Sequence, residues 1–220
     1  MKVKVNDIEI YYQKLGQGHP LILIHGHHQD GAIFDKLLAP LSLYYTVYVP
    51  DMRGHGLSGG EASEHYQTDV EDLAEFIRNL NLKDPYVLGY GAGGVAALLL
   101  ASQYPGLIAK LIVAGTYVNG NGVTASHITW NSLRGILIGD RDSKVALKET
   151  FIEPRKLQQI SIPTLCVVGE KDWVKVDHVR WYSQFLPNSR LVIMPRQNHE
   201  SYVVHSLKLL DLIKNFYKEN

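Results

Sequence analysis

Pro85-Tyr-Val-Leu88-Gly89-Tyr90-Gly91-Ala92-Gly93-Gly94, followed by Val95-Ala-Ala-Leu-Leu-Leu-Ala-Ser102, is the stretch on which the reading of this chain turns. A short apolar run ends in a cluster of glycines, and a helix of small apolar residues begins at once. Runs of this kind are strands buried on both faces, and the glycines permit a tight strand-to-helix turn. The same alternation continues outward in both directions. Val3 to Val5 and Ile8 to Tyr12 predict a hairpin with Asn6-Asp7 at its turn. Pro20 to Ile24, Tyr45 to Pro50, Leu107 to Ala114, Ile162 to Val168 and Leu191 to Met194 predict further strands. Helices are expected over Ala32 to Leu43, over Tyr66 to Leu80 and over Tyr202 to Tyr217. In the second, Val70, Leu73, Phe76, Ile77 and Leu80 recur at helical spacing.

Strands alternating with helices imply an α/β fold, with a mostly parallel sheet covered on both faces. Such sheets bind ligands beyond the carboxyl ends of their strands, so the residues following each strand carry the functional information. Those segments are His25-Gly26-His27-His28-Gln29-Asp30, Asp51-Met-Arg53-Gly-His55-Gly56, Gly89-Tyr90-Gly91-Ala92-Gly93, Gly169-Glu170-Lys171-Asp172 and Arg196-Gln-Asn198-His199-Glu200. Residues 117–154 fit the alternation poorly and read as a cap inserted over the site. The core is then 1–116 and 155–220 of a single domain.

In this order and spacing the segments resemble the α/β-hydrolase superfamily over essentially the whole chain. The resemblance implies a mostly parallel eight-stranded sheet with a short cap, and a Ser-His-Asp mechanism on a small carboxylic ester or thioester. It places the base at His199 and the acid at Asp172, and it implies backbone N–H donors at His27 and Ala92 for the oxyanion. His28, Tyr90 and Trp130 are the candidate substrate contacts. The nucleophile belongs at the centre of G-x-S-x-G, and that position holds Gly91. Glycine has no side chain and cannot attack.

Gly91 admits three readings: a scaffold that has lost its nucleophile, an engineered replacement, or chemistry that needs only the Asp172–His199 pair. The first two predict an inactive or very weak esterase. The third predicts a cofactor-free oxygenase or lyase using His199 as general base. A non-catalytic ligand-binding pseudoenzyme is the remaining alternative. Gly89, Gly91 and Gly94 also match a dinucleotide fingerprint, but that motif follows the first strand of its unit, and here it follows a later one. The histidines at 25, 27 and 28 alternate in direction, with no carboxylate at ligand spacing, so a metal site is not expected. No cofactor is expected either. Arg53 is expected to anchor its loop through charged hydrogen bonds.

Composition bounds the partners. Lys plus Arg and Asp plus Glu are 22 each, for zero formal charge. Nucleic acid and anionic membranes are poor partners for such a chain, whereas a small-molecule substrate suits it. The single cysteine, Cys166, excludes an intrachain disulfide. The opening MKVKVNDIEIYY lacks a signal-peptide core, and no apolar run nears the ~18 residues of a membrane span. A cytoplasmic monomer or homodimer is expected.

Overall fold

The structure is a computed structural model that describes residues 1–62, 65–129 and 151–218. Its strands are β1 (Lys2–Val5), β2 (Ile8–Leu15), β3 (His19–Ile24), β4 (Tyr45–Pro50), β5 (Tyr86–Tyr90), β6 (Lys110–Ala114), β7 (Thr164–Gly169) and β8 (Ser189–Met194). Its helices are α1 (Asp35–Ser42), α2 (Tyr66–Asn79), α3 (Ala92–Gln103), α4 (Pro154–Gln158), α5 (Val176–Ser183) and α6 (Leu210–Lys218). The eight strands form one sheet in the order β1-β2-β4-β3-β5-β6-β7-β8. β2 runs antiparallel to both neighbours, and every other pairing from β4 to β8 is parallel. This is the expected mostly parallel sheet.

Each central strand splits its side chains between two cores. Ile22, Ile24, Val87 and Val113 face a core with Val70, Phe76, Val95 and Leu98 from α2 and α3. Leu21, Leu23, Leu88 and Ile112 face a second core with Leu37 and Leu41 of α1 and Ile213 and Phe216 of α6. The alternation follows from the two-residue period of a strand, and burial on both sides is why these runs lack polar residues. α3 has no polar face, and Gly93 through Ser102 are all buried. It is held between sheet and helices, so its dipole and its first-turn amides point at the carboxyl edge of the sheet.

Two expectations on helices need correction. The last helix does not begin at Tyr202. Residues 201–205 form turns, and α6 starts at Leu210. His205 adopts φ +47, a left-handed conformation that ends any helical run at that point. The helix over Ala32 to Leu43 divides into a 3₁₀ turn, Gly31–Phe34, and α1. The side chain of Asp30 accepts from Ala32 N–H and starts that turn. The middle of the expected cap lies outside the described residues. Among the described residues no helix is long and apolar enough to cross a membrane.

Candidate active site

A single residue, Gly91, separates β5 from α3. It sits at the apex of the turn with φ +54 and ψ −117. Its N–H donates to Ala114 O of β6 at 2.9 Å, which pins the apex to the sheet. The surrounding glycines are demanded by packing. A Cβ on Gly89 would lie 2.4 Å from Gly93 O, on Gly93 2.4 Å from His25 O, and on Gly94 1.9 Å from Thr116 Oγ1. Gly91 differs. A Cβ there has its nearest neighbours at 3.8 Å, and these are Gly26 Cα and His199 Nε2. The one position of the turn that offers space to a side chain is the one facing the imidazole.

His199 is presented by the loop after β8. Asn198 and Ser201 clamp that loop reciprocally. Asn198 N–H donates to Ser201 Oγ at 3.0 Å, and Ser201 N–H to Asn198 Oδ1 at 3.0 Å. Lys171 N–H donates to Gln197 O at 2.8 Å, which joins this loop to the one after β7. As a result His199 Nδ1 lies 2.8 Å from Asp172 Oδ1. The Asp172 side chain is fully buried and that of His199 nearly so. Asp172 Oδ1 also accepts from Val174 N–H at 2.8 Å. Its Oδ2 accepts from Tyr202 Oη–H at 3.1 Å and Gly169 N–H at 3.4 Å. A carboxylate so surrounded by donors acts as acceptor toward the imidazole. Nδ1 then carries the proton and Nε2 presents its lone pair toward residue 91. Glu170, the neighbouring acid, accepts from Arg196 N–H instead.

Sequence reasoning missed what surrounds the imidazole. Trp173 lies against His199 with ring centroids 3.9 Å apart and the planes tilted by 35°, and His127 stacks on Trp173 at 3.8 Å with an interplanar angle of 3°. Burial and the nearby His199 push the His127 pKa down to about 4, so it stacks as a neutral ring at pH 7. Gly115, after β6, has φ +57, and a Cβ there would lie 2.7 Å from His199 Cε1 and 3.0 Å from Tyr202 Oη. Gly115, Tyr202 and His127 had no motif to announce them. Trp173 stood one residue beyond Asp172, and that adjacency was the only available signal.

The other predicted residues fall as follows. His27 and Ala92 line one small cavity of about 20 Å³, together with Gly26, Gly93, His55 and Asp69. Ala92 opens α3, and the N–H groups of a first helical turn have no intrahelical acceptor. His28 is exposed at φ +56 beside the His27 ring. Tyr90 is only 1% exposed and lies beneath His199, with centroids 4.9 Å apart and its hydroxyl donating to His199 O at 3.4 Å. It supports the base from below, so the reading of Tyr90 as a substrate contact is corrected. Burial between β5 and the second core keeps it from the open cleft. Trp130 lies outside the described residues. His25 is a structural link: its Nε2 accepts from Met52 N–H at 2.9 Å and its Nδ1–H donates to Gly26 O at 2.8 Å. Burial pushes its pKa down to about 4. Arg53 donates to Asp72 at 2.7 Å and to Asp7 at 2.7 Å, as its loop position suggested. Cys166 is fully buried, and burial pushes its thiol up to about 12.

Among the described residues an open cleft of about 410 Å³ reaches the imidazole, rimmed by Thr124, Ser126, Lys171, Trp173, Asn198 and Glu200. It is mixed in polarity, with a cation and an anion on its rim.

Similarity to known proteins bears on the fold and the family. Residues 19–140 match the family described as alpha/beta hydrolase fold. The chain is 24% identical to mouse serine hydrolase BPHL, over 98% of this chain and 85% of that one. It is 20% identical to the pimeloyl-[acyl-carrier protein] methyl ester esterase of Aliivibrio fischeri, over 96% of this chain and 98% of that one. The structure of bromoperoxidase from Bacillus anthracis superposes with a TM-score of 0.85 at 22% identity, covering 100% of this chain and 99% of that one. A sheet of this order, with the elbow after β5 and the family match across it, makes this chain a member of the α/β-hydrolase family.

Proposed function

We propose that this chain is built on the plan of a carboxylic-ester or thioester hydrolase for a small acyl substrate, and that Gly91 has removed its acyl-enzyme route. The observation that carries this reading is the geometry at residue 91. The backbone holds φ +54 and ψ −117, and the place for a Cβ stands 3.8 Å from His199 Nε2. A serine there would bring its hydroxyl within hydrogen-bond reach of a base already oriented by Asp172. The N–H groups of Ala92 and His27 serve as the oxyanion donors, and neither depends on the side chain at 91. The cleft of about 410 Å³ suits a small or medium acyl group.

The chain as it stands is then very weak or inactive as an esterase. An oxyanion hole and binding alone leave ~10³–10⁴-fold over water when a triad member is missing. Gly91→Ser, assayed on short-chain p-nitrophenyl esters and with a serine-directed phosphonate label, tests the reading. Hydrolysis and labelling should both appear. A folded Gly91→Ser protein that gains neither overturns it.

The intact Asp172–His199 bond supports a second reading, in which His199 acts as general base in cofactor-free oxygenase or lyase chemistry. Oxygen consumption with a hydroxyquinolone, lost in His199→Ala, is its signature. Ligand-induced thermal stabilisation that survives His199→Ala, with no turnover, would instead mark a non-catalytic binder.

A further inference from the structure

The space between Gly91 and His199 has a chemical consequence of its own. His199 Nε2 is an acceptor because Nδ1–H is committed to Asp172. It faces the apex of the elbow, where the first atoms around a notional Cβ stand 3.8 Å away. An oxygen at an ordinary hydrogen-bond distance of about 2.8 Å from Nε2 and in ordinary contact with Gly91 Cα sits beside the line toward that Cβ, within the space a Cβ at 91 would crowd. Ala92 N–H, the next residue along the chain, opens the helix beside it.

We propose that a water held at this point is the nucleophile, and that the chain hydrolyses aryl esters and thioesters directly, without a covalent intermediate. This rests on the ester-hydrolase reading above and deepens it. The water oxygen forms a bond to the carbonyl carbon as its proton passes to His199 Nε2. The carbonyl π pair moves to oxygen, where Ala92 N–H receives it. The tetrahedral species then collapses. The C–O or C–S bond breaks with its electron pair on the leaving atom, which takes the proton back from His199. Carboxylic acid and alcohol or thiol are released, and the base is restored. Aryl esters and thioesters fit because their leaving groups depart readily from an adduct made by a neutral oxygen nucleophile. Asp172 stabilises the imidazolium formed in the first step.

Gly91 then has a positive role, since a Cβ at 91 would crowd the water out of its place beside Nε2. Gly91→Ala, Gly91→Ser and His199→Ala separate the possibilities when p-nitrophenyl acetate and an acetyl thioester are followed in excess enzyme, with intact-mass analysis during turnover. The Gly91 protein should hydrolyse both slowly, with no acyl adduct in its mass spectrum. His199→Ala should lower that rate ~10²-fold or more, the scale of a general base, and Gly91→Ala should lower it at least ~10-fold by filling the water position. Gly91→Ser should show an acetyl adduct. A residual rate that survives His199→Ala, or that Gly91→Ala leaves unchanged, overturns the water route even if Gly91→Ser is active. A Gly91→Ser protein without gain or adduct overturns the ester-hydrolase reading itself. Should Gly91→Ala fail to fold, His199→Ala and a solvent deuterium isotope effect on the Gly91 protein decide the matter. A slowing in heavy water supports proton transfer to His199, and equal rates overturn it.

Discussion

His199 Nε2 lies 3.8 Å from the point where a side chain at residue 91 would begin, although residue 91 is a glycine. The imidazole faces an atom the chain does not carry. That relationship makes stability and chemistry at residue 91 pull in opposite directions.

Gly91→Ser is therefore expected to lower stability. A residue with a Cβ at φ +54 pays about 1–3 kcal/mol in backbone strain. For a chain of this size that is a fall in Tm of about 2–12 °C. Thermal denaturation of the two proteins checks it. Equal melting temperatures would mean that the elbow relaxes in the glycine protein.

Gly115→Ala should break the Asp172–His199 pair without touching either residue. Its Cβ would lie 2.7 Å from His199 Cε1 and 2.9 Å from Nδ1, at a φ of +57. A stability loss of about 1–3 kcal/mol is expected. In a Gly91→Ser background it should cost about 10²-fold in kcat, the usual penalty for displacing a reacting group by about 1 Å. Undiminished esterase activity would refute this.

Tyr202 acts as a positioning residue for Asp172. Tyr202→Phe removes the hydroxyl that donates to Oδ2 at 3.1 Å and leaves only the longer Gly169 N–H bond on that oxygen. The expected cost is about 1–2 kcal/mol. The downfield Nδ1–H proton resonance of His199 should move in the NMR spectrum as the carboxylate re-forms its bonds. An unmoved resonance would reduce Tyr202 to packing.

Asp69 faces the small cavity behind His27 and Ala92, and burial raises its pKa to about 7, with the Asp72 charge adding to the effect and Arg53 opposing it. Between about pH 4 and pH 7 the folded chain binds this proton and the unfolded chain does not. Asp69 therefore takes stability away as pH rises through that window. Asp69→Asn should stabilise the protein by roughly 2 kcal/mol at pH 8 and have little effect below pH 4. Chemical denaturation at the two pH values measures it, and an equal effect at both would contradict the assignment.

His25 and His178 act at lower pH. Both are buried and accept backbone N–H bonds, from Met52 and Val118, and burial brings both pKa values down to about 4. The unfolded chain binds these protons below about pH 6.5, whereas the folded chain resists them down to about pH 4. Stability is thus full above pH 6.5 and falls toward pH 4, by on the order of 3 kcal/mol for each fully neutral site. His178→Gln should flatten part of that slope. A stability curve with no slope from pH 6.5 to 4 would exclude it.

Much of the architecture was legible in the chain. The buried strands announced themselves because a strand covered on both faces has no polar side to interrupt its apolar run. Asp172 and His199 were legible because each follows such a strand at the edge where an α/β sheet binds ligands. That residue 91 brings no side chain to the elbow was visible from the residue type alone. Other features depended on chain segments distant in sequence. Gly115, Tyr202, Trp173 and His127 come from different segments and meet only around the imidazole, so nothing beyond the adjacency of Trp173 to Asp172 marks them. Tyr90 lies on the underside rather than in the cleft because its burial is set by the second core and the His199 loop, not by its own neighbours in the chain. The start of the last helix was missed because His205 enters the left-handed region, a choice made by the surrounding turns rather than by periodicity. The sequence by itself determined which groups this protein has for chemistry and which it lacks. Only the tertiary structure decided that the glycine at the elbow has room above it and an imidazole aimed into that room, because that depends on how β5, β6 and the β8 loop converge.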